Sequence, residues 1–232
     1  MNKSPIILAV DTDSLEVARQ WVVATKDYVG TYKLGLEFFL TFGRDGISRI
    51  QDVAQSDIFL DLKLHDIPNT VSKAVQAVRD LHPKFLTVHA TGGREMISAA
   101  ALSAGDIEIT AVTILTSLSQ SDVESLGFKG SIDVLASSLA SQSAGAGARA
   151  IVCSPYEIAS IRKSVGSEIH IITPGVRLES GGDDQKRTMT PREAISQGAD
   201  YIVVGRPITG AWKDGAEAMS SAAEKIALSL EH

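Results

Sequence analysis

Charged side chains alternate with apolar ones in the segment 57–70, DIFLDLKLHDIPNT, and include Asp61, Lys63 and Asp66. A carboxylate beside an ammonium keeps the ammonium protonated and orients it, so Asp61 and Lys63 have the types and spacing of a catalytic acid and its partner. Lys33, in an earlier apolar run, adds a second ammonium. Burying two ammonium and two carboxylate groups around one small volume is costly unless they pair, and such clusters usually mark function.

The strand pattern of 57–64 sets the direction of these charges. Its leucines share one face, whereas Phe59, Asp61 and Lys63 share the other. If the strand belongs to a parallel sheet covered by helices, its outer face must be apolar, and the charges then point inward at the strand end. The alternative is an exposed antiparallel strand with a solvated charged face, which the series of similar runs disfavours.

Two arginines near the end of the chain indicate an anion site. The apolar run 200–205 leads into Gly205 and Arg206, and the run before it leads through a Pro-Gly pair to Arg177. Glycine allows close backbone approach, and a helix N-terminus with an arginine favours phosphate. The sequence therefore predicts a phosphate site formed by these two loops.

The apolar runs themselves predict the fold. They are 6–11, 31–35, 57–63, 84–89, 108–115, 149–153, 169–174 and 200–205. Segments of helical period separate them, so 232 residues hold eight repeats of about 29 residues each. We expect an α/β fold, a single (β/α)8 TIM barrel of eight parallel strands with surrounding helices, in which 1–232 form one domain. The first run leads into Asp11 rather than a Gly-x-Gly-x-x-Gly turn, which disfavours a dinucleotide-binding sheet.

The composition of the chain argues against several classes of binding partner and site. The chain has 22 Lys and Arg against 28 Asp and Glu, a net charge of −6, which argues against general nucleic-acid or anionic-membrane binding. The one cysteine, Cys153, lies in an apolar run and excludes an internal disulfide and a multi-cysteine metal site. No run approaches the roughly 18 apolar residues of a membrane span, and 6–10 is too short for a signal-peptide core. We expect a cytoplasmic protein.

The chain resembles the orotidine 5′-phosphate decarboxylase family. The motifs that carry the resemblance run in order through nearly the whole chain, and the element at 61–70 is highly specific. They are Ala9-Val10-Asp11, Lys33-Leu34-Gly35, Asp61-Leu62-Lys63-Leu64-His65-Asp66-Ile67-Pro68-Asn69-Thr70, Leu115-Thr116-Ser117, Pro174-Gly175-Val176-Arg177, Gly182-Asp183-Asp184-Gln185 and Gly205-Arg206-Pro207.

The resemblance implies cofactor-independent decarboxylation of orotidine 5′-phosphate to UMP and CO2, the last step of de novo pyrimidine nucleotide synthesis. It implies that Lys63 protonates C6 of the pyrimidine and that Asp61 lies beside the leaving carboxylate. Lys33 is expected to pair with Asp61 and to reach the ribose, whose hydroxyls bind Asp11. Thr116 is expected at the pyrimidine edge.

The resemblance also implies a phosphate-binding site and an active site that two subunits share. The residues expected to hold the phosphate are Arg177, Gln185, Gly205 and Arg206. Asp66 and Thr70, with Ile67 between them, are expected to reach the substrate of a neighbouring subunit. The active unit is then expected to be a homodimer with two shared sites, a small nucleotide as its substrate, and neither a metal nor a cofactor.

Three other functions fit part of the pattern. A related barrel lyase that decarboxylates or synthesises sugar phosphates with Mg²⁺ shares the Asp-x-Lys-x-x-Asp element, but an ammonium at Lys33 would repel the cation. An aldolase with Lys63 as Schiff-base nucleophile needs a lowered lysine pKa, whereas Asp61 and Asp66 would raise it. A non-catalytic phosphate-ligand sensor would need the arginines but not the Lys/Asp alternation.

Overall fold

The computed structural model describes residues 4–54, 56–178 and 189–230, which form a closed barrel of eight parallel strands. Each strand pairs with the next along the chain, and the last pairs with the first. This confirms the (β/α)8 prediction. The strands are β1 (Ile6–Ala9), β2 (Thr31–Gly35), β3 (Asp57–Leu64), β4 (Phe85–His89), β5 (Glu108–Val112), β6 (Ala150–Val152), β7 (His170–Pro174) and β8 (Tyr201–Val204).

Helices cover the outside of the barrel and connect its strands. Those in the described ranges are α1 (Leu15–Thr25), α2 (Leu36–Gln51), α3 (Pro68–Val78), α4 (Gly93–Ser103), α5 (Gln120–Ser125), α6 (Ile132–Gly145), α7 (Ile158–Val165), α8 (Pro191–Ser196), α9 (Arg206–Thr209) and α10 (Ala216–Leu228). α2 is interrupted at Gly43, whose φ of 58° only a glycine adopts at little cost. Short 3₁₀ turns lie at Arg79–Leu81, Ala90–Gly92, Pro155–Glu157 and Gly210–Asp214.

The strands are apolar on both faces because both faces are buried. Ile6 and Leu8 of β1 pack outward against the helices, whereas Ile7 and Ala9 pack inside the barrel. The residues of this inner core are Ile7, Ala9, Phe59, Phe85, Ala150, Ile172 and Val203. Side chains of one strand alternate in direction. A residue two positions beyond a member of this inner core on the same strand therefore also points into the barrel.

The sequence located all eight strands, but β6 and β8 end one residue earlier than predicted, and β1 and β5 end two and three residues earlier. β1 ends at Ala9 rather than at 11, and β5 ends at Val112 rather than at 115. After β5 the Thr113 N–H still donates to the Val152 carbonyl, and a turn then follows, in which the Leu118 N–H donates to the Leu115 carbonyl. An apolar run continues past the point where the barrel opens, so hydropathy alone overestimates the strand.

Capping side chains mark the starts of several helices. Ser14 caps α1 through the Val17 N–H, and Thr190 and Glu193 form a reciprocal capping box at the start of α8. Cys153 is buried, as its apolar surroundings predicted, and burial raises the pKa of its thiol.

A polar cluster closes the barrel at the N-terminal ends of the strands. Lys84 Nζ donates to Tyr201 Oη at 2.8 Å and lies 3.4 Å from Asp57 Oδ2. His170 Nδ1 lies 2.7 Å from Glu108 Oε2, and a carboxylate at this distance raises the pKa of the imidazole. These groups pair with one another, so this end of the barrel is closed by ion pairs and hydrogen bonds.

Candidate active site

The opposite rim of the barrel carries an alternating row of charges. Lys33 comes from the middle of β2, Asp61 and Lys63 from the second half of β3, and Asp11 from the segment just after β1. Because β1, β2 and β3 are neighbours in the barrel, their C-terminal halves bring these four side chains together. The sequence placed charges at these strand ends, and the structure confirms that they meet.

The row runs from carboxylate to ammonium twice. Asp11 Oδ1 lies 3.7 Å from Lys33 Nζ, which lies 3.3 Å from Asp61 Oδ2. The other carboxylate oxygen of Asp61 accepts a hydrogen bond from Lys63 Nζ at 2.8 Å. The side chain of Asp61 is only 12% exposed and that of Lys33 only 14%, so the centre of the row is largely withdrawn from water.

Asp61 is the anion at the centre of this row. Burial by itself would raise the pKa of its carboxyl group, but Lys33, Lys63 and the hydrogen bonds from Lys63 and Thr87 outweigh burial. The pKa of Asp61 therefore lies below its ordinary value. At neutral pH the carboxylate is ionised and holds the Lys63 ammonium in a fixed direction.

Lys63 has an unusual backbone. Its φ is 48°, a left-handed conformation that a residue with a side chain rarely adopts. It lies where the pairing of β3 with β4 shifts register between Leu60 and Leu64, which is a β-bulge. Bulges of this kind redirect side chains, and here one directs an ammonium toward the barrel mouth.

Thr87 is a site residue that the sequence analysis missed. Its hydroxyl oxygen accepts from the Lys63 N–H at 2.8 Å and donates to Asp61 Oδ1 at 3.0 Å. The available signal was a polar residue in the apolar run 84–89, two positions before His89 and on the inward face. The pKa of His89 is lowered by burial and by the nearby His65 and Lys63.

A cavity of about 230 Å³ adjoins the charged row. Lys33, Asp61, Lys63 and Thr116 line it together with apolar residues of β3, β5, β6, β7 and β8. Two larger clefts, of about 630 and 490 Å³, open near the start of β4 and β5. Most of the charged groups in those clefts are exposed, so the smaller cavity, with buried and paired charges, is the candidate site.

The residues expected to hold phosphate follow the adjacent strands β7 and β8. Arg177 lies three residues beyond β7, and its N–H donates to the Met189 carbonyl at 3.0 Å. Gly205 and Arg206 come directly after β8, at the start of α9. Gln185 lies outside the described residues.

Asp66, Ile67 and Thr70 are exposed and lie outside the charged row of their own chain. Asp66 Oδ1 accepts from the Ile67 N–H at 2.7 Å, at the start of α3. Within one chain, the second carboxylate of the row is thus Asp11, where the residue pattern had suggested Asp66. The side chain of Ile67 is large and apolar, yet the residue is 66% exposed.

Within residues 4–54, 56–178 and 189–230, no three His, Cys, Asp or Glu side chains are grouped so that they could hold a metal ion. The helices within the same ranges include none that is long and apolar enough to cross a membrane.

Comparison with known families bears directly on this geometry. Residues 4–221 match the model of the orotidine 5′-phosphate decarboxylase / HUMPS family. The chain belongs to this family. Its members include the orotidine 5′-phosphate decarboxylase of Thermobifida fusca, which is 44% identical over 222 residues, 95% of each chain. The orotidine 5′-phosphate decarboxylase of Sphingopyxis alaskensis is 48% identical over 208 residues, 89% of this chain and 92% of the relative.

Solved structures in the family have the same architecture. The crystal structure of orotidine 5′-phosphate decarboxylase from Lactobacillus acidophilus has a TM-score of 0.82 and 34% sequence identity, and the match covers 97% of this chain and 99% of that one. The structure from Pyrococcus horikoshii OT3 has a TM-score of 0.79 at 27% identity, covering 98% and 99%. The family resemblance seen in the sequence is thereby confirmed.

Proposed function

We propose that this chain decarboxylates orotidine 5′-phosphate to UMP and CO2 without a cofactor, the last step of de novo pyrimidine nucleotide synthesis. Membership of the family supports the reaction. The observation that supports the assignment of residues is the ion-paired alternation of Asp11, Lys33, Asp61 and Lys63 beside the cavity, in which the two central groups, Lys33 and Asp61, are largely buried.

The chemistry needs an acid held at one atom. When the bond from C6 to the carboxylate breaks, CO2 leaves and its bonding electron pair stays on C6. Lys63 Nζ is the proposed acid, so a proton passes from its ammonium to C6 and the resulting amine is reprotonated from water. An ammonium already oriented by Asp61 also stabilises the negative charge as it develops, without reorganisation at the moment of reaction.

The rest of the rim is proposed to bind the substrate. Asp11 and Lys33 are assigned to the ribose and Thr116 to the pyrimidine edge, which fits the ion pair of the first two and the place of Thr116 at the cavity. The proposed phosphate ligands are Arg177, Gln185, Gly205 and Arg206. Binding energy from a phosphate remote from C6 can hold the reacting ring in place.

A Mg²⁺-dependent lyase of the same superfamily is the competing function. Lys33 pairs with both Asp11 and Asp61, and a cation placed at those carboxylates would meet its ammonium. We expect full activity after exhaustive chelation. Loss of activity that added Mg²⁺ restores would instead support the metal-dependent lyase.

Release of CO2 from orotidine 5′-phosphate by the purified chain, with no added cofactor, tests the reaction. Lys63→Ala should abolish turnover, whereas UMP should still bind because the phosphate ligands remain. Lys163→Ala on the exposed face of α7 is the matched control and should behave as wild type. Retention of a tenth of the wild-type kcat by Lys63→Ala would exclude Lys63 as the essential acid.

We further propose that the active unit is a homodimer in which Asp66, Ile67 and Thr70 contribute to the partner's site. Their exposure at the start of α3 and the large apolar surface of Ile67 support this arrangement. In a two-fold interface each subunit lends the same residues to the other.

Subunit mixing tests the shared site. Lys63→Ala and Asp66→Asn chains, each inactive alone, should regain about a quarter of wild-type activity when they exchange, because half the dimers are mixed and each mixed dimer has one intact site. Lys63→Ala mixed with Asp61→Asn is the control and should regain none, since both lesions affect their own subunit's site. No recovery in the first mixture, with exchange proven, would contradict the shared site.

The domain organisation and the cellular location of the protein are also proposals. We propose that residues 1–232 form a single domain and that the protein works in the cytoplasm. A single cooperative unfolding transition and fractionation of the untagged protein with cytoplasmic markers are the expected results.

A further inference from the structure

The β-bulge in β3 sets three residues against one. Leu60 pairs with Leu86 and Leu64 pairs with Val88, so Asp61, Leu62 and Lys63 all lie opposite the single intervening residue of β4. That residue is Thr87, whose side chain is fully buried. A bulge interrupts the backbone ladder, and the groups it frees must find other partners.

The Thr87 hydroxyl supplies the partner for one of these groups, the Lys63 N–H, and also binds the Asp61 carboxylate. It accepts from the Lys63 N–H at 2.8 Å and donates to Asp61 Oδ1 at 3.0 Å. Asp61 Oδ1 also accepts from Lys63 Nζ at 2.8 Å. The hydrogen bonds form a closed ring that starts at the backbone nitrogen of Lys63 and returns through Thr87 and Asp61 to the end of the same lysine side chain.

We propose that Thr87 is a positioning residue for Lys63. The Thr87 hydroxyl holds the left-handed backbone of the lysine, and it also holds the Asp61 carboxylate that orients the lysine ammonium. This inference rests on the proposed function, in which Lys63 is the acid. Thr87 acts through Lys63 and Asp61 and does not itself contact the reacting atoms.

This ring of hydrogen bonds holds the backbone and the side chain of Lys63 in conformations that they would otherwise leave. A left-handed backbone is unfavourable for a residue with a side chain and persists only where its surroundings impose it. A lysine side chain has four rotatable bonds, so its ammonium keeps one direction only if both ends are held. Misplacement of a reacting group by about 1 Å can cost on the order of a hundredfold in rate.

The neighbouring strand offers a matched control. Thr110 of β5 is the register partner of Thr87, is equally buried, and donates its hydroxyl only to the Glu108 carbonyl. Thr→Val at either position replaces a hydroxyl with a methyl of nearly the same shape inside the barrel. Only the change at position 87 removes a hydrogen bond to Lys63 and Asp61.

We expect Thr87→Val to lower kcat about 10- to 100-fold, which is about 1.4–2.7 kcal/mol at 1.36 kcal/mol per factor of ten and is the size expected for a lost hydrogen bond to a charged group. The KM for orotidine 5′-phosphate should change less than about threefold, since the phosphate ligands are elsewhere. Thr87→Ser keeps the hydroxyl and should restore most of kcat. Thr110→Val should keep wild-type kcat. If Thr87→Val fails to fold, Thr87→Ala against Thr87→Ser makes the same comparison.

Amide hydrogen exchange gives a readout that is independent of turnover. The Lys63 N–H should be protected in the wild type and in Thr87→Ser and should exchange faster in Thr87→Val, while Thr110→Val leaves it protected. Equal kcat in Thr87→Val and Thr110→Val, or a Thr87→Ser variant as slow as Thr87→Val, would overturn the positioning role. A wild-type chain that releases no CO2 would instead refute the proposed function.

Discussion

The substitution Glu157→Gln should stabilise the protein at alkaline pH. Glu157 follows β6 and is only 6% exposed, and its Oε2 accepts from the Ser154 N–H at 3.1 Å. Burial is the main reason that its pKa rises to about 7, and the negative charge of Asp133 adds to the effect. A glutamine keeps the shape and the accepting oxygen but carries no charge to bury.

The sign and size of this effect on the free energy of unfolding follow from the pKa of Glu157 in the unfolded and in the folded chain. The unfolded chain releases this proton near pH 4.5 and the folded chain near pH 7, so folding takes up a proton between them and stability falls as pH rises through that window. At 1.36 kcal/mol per pKa unit, the full penalty above pH 7 is at most about 3 kcal/mol. Glu157→Gln should therefore exceed the wild type by up to about 3 kcal/mol at pH 8 and match it near pH 4.5.

Urea unfolding of both proteins at pH 5, 6, 7 and 8 measures this difference. Glu193→Gln is the control, because Glu193 has the same place in the capping box of α8 but is exposed, and its hydrogen bonds to Thr190 lower its pKa. That substitution should reduce stability at neutral pH, the opposite sign. A Glu157→Gln advantage that does not grow between pH 5 and pH 8, or a less stable variant at pH 8, would refute the reasoning.

Three other changes have expected outcomes. Arg206→Ala should lower kcat/KM for orotidine 5′-phosphate about a hundredfold through loss of a charge-assisted hydrogen bond, but it should barely affect the nucleoside without phosphate, and an equal loss on both would remove Arg206 from the phosphate site. Glu108→Gln should destabilise the protein more at pH 6 than at pH 9 in urea unfolding. Glu108 raises the pKa of His170 in the folded protein, so this pair contributes its full share of stability below the unfolded-state pKa of about 6.5. That share is lost as the pH rises through the folded-state pKa. Gly30→Ala should lower the free energy of unfolding by about 1–3 kcal/mol, because its Cβ would lie 2.1 Å from a backbone carbonyl oxygen, whereas Gly145→Ala has open space and should not.

Much of the fold and part of the site could be predicted from local sequence. The eight apolar runs are strands because a covered parallel barrel needs residues that are apolar on both faces. The alternation in β3 sets the direction of Asp61 and Lys63 because strand side chains have a period of two. The capping box of Thr190 and Glu193 is likewise local, since both hydrogen bonds close within three residues.

Tertiary structure decided which groups meet across strands. The link between Thr87 and Lys63 spans 24 residues and depends on a register shift that hydropathy does not encode. The same applies to Asp11, which takes the place in the charged row that Asp66 had seemed to fill, because β1 and β2 are neighbours. A residue pattern states what each side chain can do, whereas its partners follow from long-range register and burial, which only the closed barrel defines.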